Sequence, residues 1–425
     1  MNTTLFVFGT HPVLSFAEVL RTFKLQPEFF AEVSTEGLVY GPADAPAMLD
    51  RSYVQRELAQ LGGIIKIAEV FDAIPIYEDP RLDLTLHIAE YLNSQADRTQ
   101  ELTFGISVYG DSPVNASNLC RFVKKELKTA DTAQIRYVLP SEDNKTLSSA
   151  QVIHHGLSSD DLNRFEIVIF KGVKRYFLAR TNAVQDIVSY VERDEGRPSR
   201  RRDEGMMPIK LTQMLINFAG RPKAGGSTPL LLDPFCGSGT ILQEALRVGY
   251  DVIGTDISTN TIRSAQANLA WYAGRFMKGS PRSFQLFPVD ARKITSTFAP
   301  ETFDAVVSEG YLGTLYSQAP TEAQLDKEVP SLRDMYFRSL SAMLPILKTG
   351  GLIAITCPYY LKKHLSIIEP LLDSLEKIGY NHQSLLPDTD IPVWAQMTEH
   401  GTYIYSRPDQ IVGREIILLK KTTRS

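Results

Sequence analysis

Cysteine is scarce in this sequence, and its few copies are scattered. Only Cys120, Cys236 and Cys357 occur among the 425 residues, and no two of them form a CxxC pair. This spacing excludes a disulfide framework and a zinc site with four cysteine ligands. We therefore expect no metal, and the low cysteine content favours a cytoplasmic protein.

Long apolar runs are also absent. No segment approaches the roughly 18 consecutive apolar residues that a membrane span requires. The short apolar run at residues 5–8 lacks the basic leader and the length of a signal peptide. This run predicts a first β-strand, and we expect no membrane partner.

The sequence has no excess of positive charge. Its 45 lysines and arginines stand against 49 acidic residues, which gives a net charge of −4 and a pI near 6.0. The bulk composition therefore does not indicate a nucleic-acid-binding protein. Any surface that binds a nucleic acid must be local.

The chain is too long for one hydrophobic core, so we expect more than one domain. Between residues 191 and 205 the composition changes to charges of both signs, broken by glycine and proline. We predict an N-terminal domain over 1–185, a charged linker over 186–205 and a C-terminal domain over 206–425. The linker is equally well explained as a solvated connector or as a surface that faces a nucleic acid.

The two halves differ in their hydrophobic pattern. The first half mixes short apolar runs, such as 64–67, 104–109 and 165–170, with helix-like segments, which predicts an α+β domain. The second half alternates strand-like and helical segments, which predicts an α/β domain with a mostly parallel sheet and crossover helices.

The strand-like segments of the second half can be placed individually. They lie near residues 230–233, 252–256, 285–289, 303–308 and 351–356. Two further segments, 402–405 and 415–419, have no helix between them. They predict an antiparallel hairpin at one edge of the sheet.

The strongest motif is an apolar strand that runs into a glycine turn and then a helix. Residues 231–240 read Leu-Leu-Asp-Pro-Phe-Cys-Gly-Ser-Gly-Thr. Glycine lets the backbone approach a ligand closely, and a helix N-terminus favours a negative group. A phosphate-binding P-loop would need a lysine after the turn, and a dinucleotide fingerprint would need a glycine where the chain has Leu242. The turn therefore indicates a different ligand.

A carboxylate ends each of three successive strands. Asp233 suits an ammonium group and the turn amides suit a carboxylate, and the methionine zwitterion carries both. Asp256 lies about 20 residues beyond the turn, where an acid accepts from ribose hydroxyls, and Asp290 is a candidate acceptor for an adenine amine. Each aspartate alone is explained as well by a helix cap. Together with the turn, the three favour a cofactor in the crevice at the carboxyl ends of the strands.

These motifs carry a family resemblance. The C-terminal half resembles the class I methyltransferases, and the motif at 233–240 is similar to the version in RNA N2-guanine methyltransferases. Further segments resemble the archaeal-type tRNA (guanine-10-N2)-methyltransferase family. They are residues 61–67, 104–110, 183–187, 193–198 and 205–211.

The resemblance implies a fold, a cofactor and partners. It implies a ferredoxin-like or THUMP-like RNA-binding region followed by a Rossmann-like class I methyltransferase domain. The implied cofactor is S-adenosylmethionine and the implied substrate is tRNA, with a small activator subunit as a possible further partner. The predicted cofactor-binding residues are Asp233, Phe235, Cys236, Gly237, Gly239, Thr240, Asp256, Ile257, Asp290 and Ala291.

The sequence departs from the family pattern at the acceptor site. Family members carry Asp-Pro-Pro-Tyr after the fourth strand, whereas this chain has Ser308-Glu309-Gly310-Tyr311. Either Glu309 or Ser308 replaces the aspartate, depending on the alignment. Guanine N2 needs hydrogen-bond acceptors that aim its lone pair at the methyl group. We therefore predict Glu309, Tyr311 and Ser308 as catalytic residues, with Glu309 favoured as the acceptor and Tyr311 stacking on the base.

Two alternatives remain open. The loop that differs from the family motif is also compatible with a catalytically inactive tRNA-binding protein. The second alternative is an amino-methyltransferase that acts on rRNA, DNA or protein, because enzymes with an Asp/Asn-Pro-Pro-Tyr motif act on all of these.

For RNA binding, basic residues in a helix-like segment, a predicted hairpin and the linker are candidates for phosphate contacts. They are Lys124, Lys125, Lys128, Arg175, Arg193, Arg197 and Arg200.

Overall fold

The computed structural model shows two compact units. It describes residues 2–43, 51–97, 99–128, 134–141, 145–199, 207–222, 226–387 and 391–422. The first unit comprises residues 1–19, 25–190 and 392–394, and the second comprises residues 20–24, 191–391 and 395–425.

The helices in the described ranges are numbered in chain order. They are α1 Pro12–Phe23, α2 Arg51–Ala59, α3 Arg81–Gln95, α4 Ala116–Lys128, α5 Ser149–His154, α6 Ile187–Glu195, α7 Ile209–Ala219, α8 Thr240–Val248, α9 Thr259–Phe276, α10 Glu322–Ile346 and α11 Leu372–Ile378. Within these ranges, no helix combines the length and the apolar character needed to span a bilayer.

The strands are numbered in the same way. They are β1 Asn2–Phe8, β2 Phe30–Ser34, β3 Gly37–Ala43, β4 Ile64–Pro75, β5 Leu102–Tyr109, β6 Ile135–Val138, β7 Arg164–Lys171, β8 Arg175–Val184, β9 Leu230–Asp233, β10 Asp251–Asp256, β11 Phe284–Pro288, β12 Phe303–Glu309, β13 Leu347–Tyr360, β14 Leu365–Ser366, β15 Tyr380–Gln383, β16 Tyr403–Tyr405 and β17 Val412–Lys421.

The first unit contains one eight-stranded sheet in the order β2-β3-β1-β4-β8-β7-β5-β6. β5 pairs in parallel with β6 and β7, whereas the other pairs are antiparallel. A buried apolar cluster joins the sheet to α3 and α4, for example through Ile88, Val123 and Ile167. This unit has the predicted α+β character.

The second unit contains a sheet in the order β11-β10-β9-β12-β13-β17-β15. Strands β9 to β13 pair in parallel, and β17 runs antiparallel to β13 and β15. The chain adds β10 and β11 on one side of β9 and later returns to β12 on the other side. This change of direction places a crevice at the carboxyl ends of β9, β10 and β12, where open α/β sheets bind ligands.

The predicted strands of the second half are confirmed within a few residues. The predicted C-terminal hairpin is also confirmed, since Tyr403 in β16 pairs with Ile416 in β17. β15 was not predicted, and it pairs with the same side of β17 as β16 does. β17 therefore lies inside the sheet, and β15 and β16 together form its edge.

The predicted charged linker is folded where it is described. α6 covers residues 187–195, and Arg193 and Arg197 are only 1% and 4% exposed. The charge pattern was misleading because these arginines pair with acidic residues inside the second unit. Residues 200–205 of the segment, including Arg200, lie outside the described residues, and the predicted domain limits stay a prediction.

Candidate functional site

The glycine turn follows β9 and leads into α8. Gly237 and Gly239 have positive φ angles of +49° and +88°, a conformation that favours glycine. An added Cβ at Gly239 would have its nearest neighbours at 3.6 Å, so the backbone conformation rather than crowding requires glycine there. The amide of Gly239 donates to the Cys236 carbonyl at 2.8 Å. The closed turn presents the N-terminus of α8, which suits an anionic group.

The two larger side chains of the turn are involved in packing. Phe235 is partly buried against the core of the second unit. Cys236 is 4% exposed, and burial raises the pKa of its thiol well above the usual range. Such a thiol is a small apolar side chain at neutral pH rather than a nucleophile.

Asp233 is a buried carboxyl group at the end of β9. It is 1% exposed and accepts hydrogen bonds from the Ser308 hydroxyl at 2.6 Å and from the Phe235 amide at 3.3 Å. Burial, together with the charges of Asp256 and Glu309, raises its pKa to about 8, although the two hydrogen bonds oppose the shift. A cationic group bound beside Asp233 would stabilise its carboxylate form against burial and the neighbouring negative charges.

Asp256 ends β10 beside the turn. Its carboxylate accepts from the Gly237 amide at 3.3 Å and from the Ser258 amide at 2.8 Å. The next residue, Ile257, is 73% exposed. An exposed aliphatic side chain next to a strand-end carboxylate suits a ligand with both a flat apolar ring and hydroxyl groups.

Asp290 caps a short 3₁₀ turn after β11. Its carboxylate accepts from the Arg292 amide at 2.9 Å and pairs with the Arg292 guanidinium at 2.6 Å. The hydrogen bond from Arg292 lowers the pKa of Asp290. Ala291 beside it is 4% exposed. The cap explains Asp290 by itself, and its role toward a cofactor stays a prediction.

Residues 194–199 pack against the glycine turn and the start of α8. The Arg197 guanidinium donates to the Thr240 hydroxyl at 2.6 Å and pairs with Asp194 at 2.6 Å. Asn268 in α9 bonds both to Ser199 and, at 2.9 Å, to the Ser238 carbonyl in the turn. The structure therefore contradicts the prediction that Arg197 contacts RNA, because its guanidinium is buried against Thr240 at the end of the glycine turn.

Arg193 is also buried and paired. Its Nε donates to Glu244 in α8 at 2.8 Å, and Gln213 in α7 donates to the same carboxylate at 3.0 Å. Because the Arg193 side chain is 1% exposed, it cannot reach a phosphate on the surface. The RNA-binding prediction for Arg193 is therefore also wrong.

β12 pairs with β9, and its end brings the predicted acceptor residues to the edge of the sheet where the glycine turn begins. Ser308 is completely buried, and its hydroxyl donates to Asp233. Its neighbour Glu309 points to the other face of the strand, as successive strand residues do. The Glu309 side chain is 22% exposed and pairs with Arg414 in β17 at 2.5 Å. Of the two predicted acceptors, Glu309 is the one accessible to a substrate.

The ionisation of Glu309 depends on two opposing effects. Burial raises its pKa above the ordinary value, and the charge and hydrogen bond of Arg414 and the charge of Arg407 offset only part of this rise. Arg414 is 2% exposed, so its attraction to Glu309 is little screened by water. Arg414 therefore favours the carboxylate form, which is the form that accepts hydrogen bonds at both oxygens.

Tyr311 lies at the start of a loop, residues 310–316, which we call the acceptor loop. Its side chain is 57% exposed, whereas its carbonyl accepts from the Tyr336 hydroxyl at 3.0 Å. The backbone is thus held while the ring remains free to contact a ligand. This geometry fits a stacking platform, and the role stays a prediction.

The remaining basic candidates lie in the first unit. On α4, Lys125 and Lys128 are exposed, and the Lys124 ammonium lies 5.3 Å above the Tyr137 ring. Arg175 is exposed at the start of β8. These four side chains stay candidates for phosphate contacts.

Reasoning from the sequence missed several residues that shape the site. Arg414 pairs with Glu309, and Glu328, Tyr336 and Tyr360 surround the acceptor loop. Glu328 and Tyr336 lie on α10, the helix that follows the loop, whereas Tyr360 and Arg414 lie on β13 and β17, farther along the chain. The only signal was a charged pair, Arg414 and Glu415, beside an apolar strand segment.

Family models of known proteins match parts of this chain. A family model described as a methyltransferase domain matches residues 232–325, and one described as a DNA methylase matches residues 125–267. The crystal structure of TrmN from Thermus thermophilus matches with a TM-score of 0.52 at 16% identity, over 99% of this chain and 100% of that chain. The fold is that of the class I methyltransferases, for which S-adenosylmethionine is the cofactor.

The sequence is more specifically similar to two tRNA (guanine(10)-N2)-dimethyltransferases. The protein from Methanothermobacter thermautotrophicus is 30% identical over 201 residues, which are 47% of this chain and 51% of the relative. The protein from Pyrococcus abyssi is 28% identical over 152 residues, which are 36% of this chain and 39% of the relative. The chain therefore matches about half the length of the first relative and less of the second. The resemblance predicted from the motifs is confirmed.

Proposed function

We propose that this protein transfers a methyl group from S-adenosylmethionine to the exocyclic N2 amine of a guanine in tRNA. The observation that carries the proposal is the hydrogen bond from Ser308 to Asp233. This bond joins the end of β12 to the end of β9 and supports the interpretation that Glu309 and Tyr311, which follow Ser308, lie at the same edge of the sheet as the glycine turn. The proposed substrate acceptor and the proposed cofactor site would then share one edge of the sheet.

The residues at this edge fit the proposed cofactor. The N-terminus of α8 suits the cofactor's carboxylate, and Asp233 suits its ammonium group. Asp256 would accept from the ribose hydroxyls, and Ile257 would pack on the adenine ring. Asp290 would accept from the adenine amine. The bound cofactor supplies an electrophilic methyl group on a sulfonium.

The acceptor side would act by orienting the amine. The guanine N2 lone pair is delocalised into the ring, so it must be turned toward the methyl group before it reacts. Glu309, held by Arg414, would accept an N–H of the amine and fix that orientation. Tyr311 would stack on the base after it leaves the helix stack.

The choice of tRNA rests on the relatives, which are named as tRNA methyltransferases. The match to a DNA methylase model favours DNA as a second candidate substrate, because the same acceptor chemistry would serve an exocyclic amine of a DNA base. A small activator subunit remains a prediction.

Single-turnover methyl transfer with unmodified tRNA tests the proposal. We expect N2-methylated guanosine when the tRNA nucleosides are separated by mass spectrometry, and the product distinguishes mono- from dimethylation. A matched tRNA with inosine at the modified position lacks the N2 amine and should accept no methyl group there. A duplex DNA of the same length tests the second candidate.

A parallel reaction with extract of the source cells supplies any activator subunit. Methylation of DNA but not of tRNA would overturn the proposal for tRNA and favour DNA as the substrate. If tRNA and cofactor bind and no methyl group is transferred with or without extract, the protein is a catalytically inactive tRNA-binding protein.

A further inference from the structure

The carboxylate of Glu328 in α10 accepts three hydrogen bonds near the acceptor loop. The Thr314 amide donates to one oxygen at 2.6 Å. The hydroxyls of Tyr316 and Tyr360 donate to the other oxygen at 2.7 Å and 2.8 Å. Burial alone would raise the pKa of Glu328, but these donors outweigh it and leave the pKa below its ordinary value. An ionised carboxylate thus holds Thr314 and Tyr316 in the loop and Tyr360 at the end of β13.

α10 also holds the start of the loop. The Tyr336 hydroxyl donates to the Tyr311 carbonyl, and an added Cβ at Gly310 would clash with that hydroxyl. Gly313 has a φ of +82°, and an added Cβ there would lie 2.8 Å from Glu328. The loop is therefore attached to one helix at both of its ends, and glycines permit the close approach.

This attachment leaves two apolar side chains exposed. Tyr311 is 57% exposed and Leu315 is 70% exposed, although the backbone beside each of them is hydrogen-bonded to α10 or its neighbours. Binding to a surface whose backbone is already ordered loses less conformational entropy than binding to a mobile loop. An exposed aromatic ring on an anchored backbone, as at Tyr311, has the character of a preorganised platform for a flat ring.

We propose that Glu328 is a positioning residue that holds the acceptor loop so that Tyr311 and Leu315 receive the target base. This inference rests on the proposed function for the identity of the ring. Glu328 acts on the base only through the loop, and its substitution should leave cofactor affinity unchanged.

Hydrogen–deuterium exchange tests the attachment without any assay of activity. The variants are Glu328→Ala, Glu328→Gln and, as a matched control, Asp326→Asn, which changes an exposed carboxylate on the same helix. We expect Glu328→Ala to accelerate exchange of the Thr314 amide by about tenfold or more, with the control unchanged. Glu328→Gln retains one carbonyl acceptor and should lie between them. Unchanged exchange in Glu328→Ala would overturn the proposal.

A double-mutant cycle with Tyr311 tests the effect on the substrate. Glu328→Ala should lower kcat/KM for tRNA by about tenfold in the wild-type background and by less than about twofold in Tyr311→Ala. Equal effects in both backgrounds would show that Glu328 does not act through Tyr311. Calorimetry with the cofactor should give the wild-type affinity, and a large loss would overturn the positioning role.

Two milder variants keep the test decisive if Glu328→Ala does not fold. Tyr316→Phe and Tyr360→Phe each remove one hydrogen bond to Glu328, and each should accelerate loop exchange to a smaller extent. If the exchange results hold and wild-type protein transfers no methyl group, the proposed function fails while the attachment stands. If methyl transfer is normal and exchange does not respond, the positioning role alone fails.

Discussion

The glycine turn and the acceptor loop lie at the same sheet edge but are shaped in different ways. The turn depends on its own residues, since Gly237 and Gly239 adopt positive φ angles and the Gly239 amide bonds back to Cys236. The acceptor loop depends on side chains from elsewhere, such as Glu328 and Tyr336 in α10.

This difference explains which part of the site a sequence motif describes. A turn whose shape follows from backbone conformations needs particular residues at particular positions. A loop that is held by side chains of other elements can have other residues in its own sequence, provided that those side chains change to match. The sequence resemblance is accordingly close at the glycine turn, whereas residues 308–311 depart from the Asp-Pro-Pro-Tyr pattern that the resemblance predicts.

The largest effect is expected at the acceptor side. Glu309→Ala should lower the single-turnover rate on the order of 100-fold, because the amine loses the group that orients it. Affinities for tRNA and cofactor should change little. Ser308→Ala should be mild in comparison, since Ser308 is buried against Asp233. The reverse ranking would assign the acceptor role to Ser308.

At the cofactor side, Asp256→Ala should weaken cofactor binding about 10- to 100-fold, because the ribose hydroxyls lose a charged acceptor. Isothermal titration calorimetry measures the change. Asp251→Ala is the matched control, since it removes a carboxylate from the opposite end of the same strand. Equal affinities for wild type and Asp256→Ala would remove Asp256 from the site.

The buried Asp233 predicts a pH dependence of cofactor affinity. Its pKa is raised to about 8, so the folded protein without cofactor holds a proton that must leave before the carboxylate can pair with an ammonium group. Affinity should therefore rise by up to about tenfold between pH 6 and pH 7. Asp233→Asn should remove this dependence, and a wild-type affinity that is flat over this range would contradict the pairing.

The same shift has a consequence for stability. The folded state retains a proton that the unfolded chain releases near its ordinary pKa of 3.8. The stability contributed by protonated Asp233 is therefore greatest in acid and is lost as the pH rises toward 8. Thermal melts of wild type and Asp233→Asn at pH 5 and pH 8 measure this contribution.

A smaller effect is expected at Arg197, where the structure contradicts the predicted RNA contact. Arg197→Ala should weaken cofactor binding by roughly three- to tenfold, because the substitution removes a buried cation and a hydrogen bond to Thr240 at the turn. The salt dependence of tRNA binding should stay unchanged. Arg263→Ala, an exposed arginine in α9, is the control. A reduced salt slope in Arg197→Ala would restore the RNA-contact interpretation.

The smallest effect is expected on α4 in the first unit. Lys125→Ala combined with Lys128→Ala should reduce the slope of tRNA affinity against salt by about one for each phosphate that the lysines neutralise. Cofactor affinity should not change. Lys377→Ala, in α11, is a control for the removal of one surface charge. An unaltered slope would leave the α4 lysines as a solvated helix face.

Much of the fold follows from local pattern. The alternation of apolar strands and helices predicted β9 to β13 within a few residues, because buried parallel strands are short apolar runs bounded by turns. β15 was missed, since Tyr380-Asn381-His382-Gln383 has little strand character by itself. It becomes a strand because it pairs with β17 at the sheet edge.

The arginines at 193 and 197 mark the limit of such reasoning. A run of mixed charge is usually solvated, and the sequence carried no sign that Glu244 would be buried opposite Arg193. Arg193 is buried against Glu244, 51 positions away, and Arg197, although its ion-pair partner Asp194 is local, is buried against Thr240, 43 positions away. Pairings of this kind are not encoded in spacing.

The sequence by itself determined the α/β plan of the second unit, the glycine turn and the carboxylates at three strand ends, because each follows from local backbone preference or strand order. Only the tertiary structure decided that Glu309 faces Arg414 while Ser308 is buried against Asp233, and that Glu328 holds the acceptor loop. These contacts join residues 75 to 105 positions apart for Ser308 and Glu309. Such distances are closed by packing of whole elements, which no local pattern records.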